Sequence, residues 1–149
     1  LTARAFDADG WYHTGDMGYV DREGRLYIVD RKKDMIISGG ENVYSVEVEN
    51  VISQHPAVLE VAAIGVPDAQ WGEAVKAVVV LRDGVVATPE ELWAFCDEHM
   101  PRFWVPRFIE LRVEMPKTPS QKIQKYMLRA GDCLGQTFDR TASLKETKA

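Results

Sequence analysis

Val58-Leu59-Glu60-Val61-Ala62-Ala63-Ile64-Gly65-Val66, the turn Pro67-Asp68-Ala69-Gln70-Trp71-Gly72, and Glu73-Ala74-Val75-Lys76-Ala77-Val78-Val79-Val80-Leu81 decide the fold. Both apolar runs are short, rich in β-branched residues and bounded by turn formers, so they are predicted to pair as the central strands of a small sheet. Upstream, Ser45 is placed to N-cap a helix whose first turn carries Glu47 and Glu49, with Val48, Val51 and Ile52 on one face and His55-Pro56 closing it. Met35-Ile36-Ile37 reads as a short strand and Ser38-Gly39-Gly40 as a turn. Earlier still, residues 11–20 and 25–30 read as a hairpin about Asp21-Arg22-Glu23-Gly24.

Downstream, Thr88-Pro89-Glu90-Glu91 supplies an N-cap, a proline at the first helical position and a capping-box glutamate. The helix it opens sets Leu92, Phe95, Cys96 and Met100 on a core stripe. After Pro101, residues 107–113 read as a further strand and 125–130 as a short basic helix stopped by Gly131. Residues 132–149 are polar and weakly patterned, which predicts a tail that hugs an edge or frays. The expected fold is α+β: a small three-stranded sheet with packed helices, preceded by a β-hairpin.

With 149 residues, 46% of them apolar, the chain has the composition of a globular core rather than of a disordered segment. A net charge of −5 gives no overall electrostatic footprint for nucleic acid. Cys96 and Cys133 are too far apart for C-x-x-C chemistry and read as reduced thiols of a cytoplasmic protein. His13, His55 and His99 share no ligand spacing, so no metal site is expected. No apolar run approaches the length of a membrane span, and the chain starts at Leu1, as a piece of a larger polypeptide would.

Several residues carry chemistry or a plainer role. In Thr14-Gly15-Asp16 the carboxylate suits the two hydroxyls of a ribose, or sits in a polar turn. Arg31-Lys32-Lys33 is a basic run, or a solvated face. Ser38-Gly39-Gly40 lacks the spacing of a phosphate-binding Walker loop and is otherwise a tight turn. Lys122, on the proline-punctuated run Met115-Pro116-Lys117-Thr118-Pro119-Ser120-Gln121-Lys122, is a movable point charge, or one surface lysine beside another, Lys125.

Taken in order, Trp11-Tyr12-His13-Thr14-Gly15-Asp16, then Asp30-Arg31-Lys32-Lys33-Asp34 running on to Ser38-Gly39-Gly40-Glu41-Asn42, then Pro116-Lys117-Thr118-Pro119-Ser120-Gln121-Lys122-Ile123 closely resemble the C-terminal signatures of the adenylate-forming superfamily. That family includes acyl-CoA synthetases, adenylation domains and firefly-type luciferases. The resemblance implies that Asp16 and Arg31 meet the ribose or phosphate of ATP/AMP, and that Lys33 is a hinge. It also implies that Gly39, with Gly40, lets pantetheine pass, and that Lys122 is the catalytic lysine of adenylation. By the same resemblance residues 1–32 close a larger N-terminal domain, 33–131 form a small mobile domain and 132–149 a tail. The implied activity is that of an AMP-forming acid–CoA ligase, with ATP, Mg²⁺, coenzyme A and a carboxylic acid as reactants. The fragment alone is expected to be inactive, and the form of residues 40–44 leans toward fatty or carnitine-like acids. Loading of a carrier-protein thiol, or a noncatalytic binding module of the same fold, is the alternative. Two departures stand out: Gln121 replaces a common glycine, and Glu41 an arginine of acetate-type members.

Overall fold

The structure, a computed structural model, describes residues 5–131 and 136–142. Its elements are β1 (Asp16–Val20), β2 (Leu26–Arg31), β3 (Ile36–Ser38), β4 (Glu41–Val43), α1 (Ser45–Ile52), β5 (Val58–Asp68), β6 (Gly72–Leu81), α2 (Pro89–His99), β7 (Phe108–Arg112), α3 (Lys125–Ala130) and β8 (Gln136–Asp139).

The strands β5 and β6 pair antiparallel from Val58↔Leu81 to Asp68↔Gly72. On the other edge of β6, β7 runs parallel from Lys76↔Phe108 to Val80↔Arg112, and β3 meets the same edge at Ser38↔Gly72. A strand has only two edges, so β3 and β7 share one, in succession. With β4 beyond β3 and β8 beyond β7, the sheet has six strands. The α+β class holds, and the strand count exceeds the expected three because β3 joins the edge of β6 while β4 and β8 add to the two ends.

Helices cover both faces of this sheet. Because β side chains alternate, Val75, Ala77 and Val79 face Val48, Ile52, Leu92 and Cys96 of α1 and α2, whereas Val78 and Val80 face Met115 and Leu128. The core of β6 is therefore buried on both sides, which explains its nearly unbroken apolar run. One interruption is Lys76, whose Nζ lies 2.5 Å from Glu110 Oε2; Arg112 Nε lies 2.5 Å from the other oxygen of the same carboxylate. Burial pushes the Glu110 carboxyl up, but Lys76 and Arg112 outweigh it and hold the group below its ordinary range.

Helix ends test the expected caps. Thr88 Oγ1 accepts from Glu91 N at 3.2 Å and Glu91 Oε2 from Thr88 N at 2.8 Å, a complete capping box. Ser45 differs: the N-cap of α1 is Tyr44, and Ser45 opens the helix proper with no side-chain cap. Its hydroxyl is committed to Asp30 instead, as described below.

The strands β1 and β2 form their own two-stranded sheet, with a register shift between Met17 and Gly18. Its side chains are largely uncovered: Tyr19, Val20, Leu26 and Ile28 are each more than half exposed, and Trp11 is 74% exposed. Part of the expected polar tail is ordered, since β8 pairs with β7 from Phe108↔Asp139 to Leu111↔Gln136, and Phe138 joins the core. Cys96 is buried and free, its thiol pushed up to about 12 by desolvation, and Cys133 lies outside the described residues. Among the described residues no helix is long and apolar enough to cross a membrane.

Candidate functional site

The β1–β2 pairing sets Asp16 opposite Arg31, and Arg31 Nε lies 3.4 Å from Asp16 Oδ1. Both side chains stay open to solvent. Thr14 Oγ1 accepts from Asp16 N at 3.1 Å, so the polar turn of the plain reading is present and is what aims the carboxylate outward. Beyond β2 the chain turns: Asp34 N and Met35 N both donate to Arg31 O, at 2.9 and 3.2 Å, and Lys32 N donates to Gly15 O at 2.8 Å. Lys33 stands exposed at this turn, between the hairpin and the six-stranded body.

Lys122 occupies a small loop closed by a bridge between Lys117 and Ile123. Thr118 N donates to Lys122 O at 2.9 Å, and Thr118 Oγ1 accepts from Lys122 N at 3.1 Å. These bonds fix the backbone and leave the side chain exposed. Among the described residues Lys122 has no ion pair, whereas Lys117 is held by Glu60. Gln121 adopts φ 64°, a left-handed conformation that costs an L residue roughly 1–2 kcal/mol and glycine almost nothing. The glycine common at that place in the family has its physical reason here; Gln121 keeps the same turn.

Gly39 and Gly40 are unlike each other. Both have positive φ, 60° and 86°. A Cβ on Gly39 would stand 2.7 Å from Cε3 of Trp71, while one on Gly40 would meet nothing within 4 Å. Gly39 N also donates to Trp71 O at 2.9 Å, so the tip of the β5–β6 hairpin is clamped over Gly39. Gly40 is therefore the glycine of the pair whose Cβ position is open.

Trp71 walls a recess of about 500 Å³ beside this turn, with Phe103, Arg102, Arg107 and Arg140 around it. Arg107 is neutralised by Asp68 and by Asp139, its Nε 3.3 Å from Asp139 Oδ1. Among the described residues Arg102 and Arg140 have no carboxylate partner; the Arg140 guanidinium lies 5.3 Å from the Trp93 ring centroid. None of these five was singled out in the sequence. Trp71, an aromatic within an otherwise polar turn, was the one visible signal.

A buried polar cluster lies beneath α3. Lys125 Nζ donates to Ser45 Oγ at 2.8 Å and lies 2.6 Å from Glu49 Oε1, and Ser45 Oγ donates to Asp30 Oδ2 at 3.0 Å. Glu49 Oε1 also accepts from Ala63 N at 2.8 Å. Burial raises the Glu49 carboxyl above its ordinary value, against the opposing pull of Lys125.

This α+β fold is shared with adenylate-forming enzymes of known structure. ATP-bound MatB from Rhodopseudomonas palustris is 37% identical with a TM-score of 0.79, covering 87% of this chain and 26% of that one. The o-succinylbenzoate CoA synthetase MenE from Bacillus subtilis, solved with its acyl-adenylate intermediate, is 37% identical with a TM-score of 0.77, over 90% and 27%. Residues 47–122 match the family described as AMP-binding enzyme C-terminal domain, and the chain belongs to that family. Among curated relatives, the crotonobetaine/carnitine–CoA ligase of Citrobacter koseri is 49% identical over 128 residues, 86% of this chain. The chain spans about a quarter of the length of the curated relatives it matches.

Proposed function

We propose that the complete protein is an AMP-forming acid–CoA ligase. In the first step a carboxylate oxygen attacks the α-phosphorus of ATP and pyrophosphate leaves, giving acyl-AMP. In the second the CoA thiolate attacks the acyl carbon and AMP leaves, giving acyl-CoA. The observation that carries this reading is the exposed ammonium of Lys122, without an ion pair among the described residues, on a loop whose backbone is fixed. Two anions must approach in the first step, and an ammonium about 4 Å from them contributes about 4 kcal/mol at an effective dielectric near 20. That corresponds to roughly a thousandfold in rate.

Asp16 and Arg31 would receive the ribose and its phosphate, with Mg²⁺ arriving on ATP. Lys33 would be the pivot on which residues beyond it swing between the two steps. Residues before Lys33 would belong to the preceding N-terminal domain, a placement supported by the bare faces of the β1–β2 sheet. The relatives make crotonobetaine and carnitine the first acids to assay. Of the possible acceptors, CoA is favoured over a carrier-protein thiol by Arg102 and Arg140, which line the recess with Gly39 and Glu41, have no carboxylate partner among the described residues and suit its several phosphates.

The test uses the full-length enzyme. Lys122→Ala should cut acyl-adenylate formation by about a hundredfold or more and spare thioester formation from supplied acyl-adenylate. Equal losses in both half-reactions would overturn the two-pose reading. Gly40→Asn, which keeps the left-handed backbone, should depress only the CoA step. Gly39 is the poorer probe, because its substitution displaces Trp71 whatever the ligand does.

A further inference from the structure

The turn at Arg31–Asp34 is straddled by two ties to α3. On its near side Asp30, at the end of β2, is bonded through Ser45 to Lys125. On its far side Asp34 Oδ1 accepts from Arg129 Nη2 at 2.8 Å. The two ties differ in kind. Asp34 and Arg129 both follow Lys33, so a rotation about Lys33 carries them together. Asp30 precedes it, so the same rotation must pull Asp30 away from Ser45.

Nothing in helix formation requires the Ser45 bond. Ser45 is fully buried, yet its hydroxyl is withheld from capping α1 and spent on a strand outside the body. It accepts from an ammonium and donates to a carboxylate, a relay between two charged groups that are themselves largely buried. Lys125 also begins α3, three residues beyond Lys122 in the same run of chain. Whatever orients the Lys125 head therefore orients the root of the Lys122 loop.

We propose that Lys125 is a positioning residue for adenylation. Seated between Glu49 and the Ser45–Asp30 pair, it fixes the Lys122 loop relative to strand β2, and does so only in the pose in which Asp30 is docked. Adenylation is the step that needs this. Arg31, next to Asp30, and Lys122 must address the same nucleotide, one at its ribose end and one at the reacting phosphate. The CoA step makes no use of Lys122 and gains nothing from the tie. This inference rests on the ligase reading above.

The experiment measures the two half-reactions separately in the full-length enzyme, with Lys122→Ala alongside. Ser45→Ala, the smallest deletion, and Lys125→Met should each lower the turnover of adenylation about tenfold or more, as expected for losing a buried hydrogen bond to a charged group. Thioester formation from supplied acyl-adenylate should stay within about twofold, since it does not use the tie. Lys125→Arg should restore most of the loss. Arg129→Gln, which cuts the tie that does not cross the pivot, should lower the melting temperature without changing the ratio of the two rates. The proposal is overturned if Ser45→Ala lowers both half-reactions in proportion or neither, or if Arg129→Gln produces the same split. If Lys122→Ala splits the half-reactions and Ser45→Ala does not, the tie falls and the ligase reading stands. If Lys122→Ala itself fails to split them, both fall.

Discussion

The β1–β2 hairpin and the six-stranded body have similar chemistry in their strands and opposite fates. In β2, Leu26 and Ile28 are 65% and 62% exposed; in β5 and β6, Ile64 and Val79 are sealed completely. Strand pairing alone thus does not make a core. The hairpin satisfies its backbone hydrogen bonds and leaves its apolar faces unused, whereas the body closes layers of helix over both faces of its sheet. The hairpin's one buried polar side chain at its end, Asp30, is the group that reaches into the body. Its apolar faces stay bare, and Asp30 ties its end to the body through Ser45.

The contrast can be broken most forcefully at Glu110. Glu110→Ala should destabilise the chain by about 3–5 kcal/mol, because Lys76 and Arg112 would be left buried without their carboxylate. Chemical denaturation measures it, and a loss below about 1 kcal/mol would mean water reaches those cations. Next in size is a matched pair of truncations. Leu92→Ala in α2 should cost about 2–5 kcal/mol, and Ile28→Ala in β2 less than about 0.5 kcal/mol. Comparable losses at the two sites would erase the distinction drawn here. Smaller again, Thr88→Ala should cost about 1 kcal/mol by undoing the capping box, as chemical denaturation would read.

The smallest effect is set by pH. Glu110 has a folded value below its ordinary 4.5, so its contribution is present above that value and is lost as pH falls through the folded one. Asp68 behaves alike, held below 3.8 by backbone donors at Trp71 and Gln70 and by Arg107. Glu49 opposes them, since its folded value is raised and its protonation on acidification favours the fold. Thermal melts below pH 4.5 should therefore fall gradually, and Glu110→Gln should flatten the fall.

How legible the molecule was in its sequence followed the range of the interactions. The β5–β6 hairpin, α2 with its box and α3 with its terminal Gly131 are decided within a few neighbouring residues, and they stand as expected. β4 and β8 were missed because runs of three or four residues, each with a single apolar member, become strands only through partners elsewhere: Val43 through Ile36, and Phe138 through Ile109. The same rule holds at the site. Asp16, Arg31 and Lys122 were visible as motif residues, and the structure sets Asp16 against Arg31. The Trp71 recess draws on four separate segments that no local pattern connects. Ser45 was read as a cap from its neighbours, and a remote strand claimed its hydroxyl.

The indole of Trp71 over Gly39 has an optical consequence. Any molecule that slides along the glycine turn changes the surroundings of a half-exposed fluorophore already in place. Of the four tryptophans, Trp11 precedes β1 and is exposed, while Trp93 and Trp104 are packed against the core with their indole N–H groups buried. A protein retaining only Trp71, with phenylalanine at the other three positions, would test the proposed passage of CoA along this turn by its own emission, without label or coupled assay.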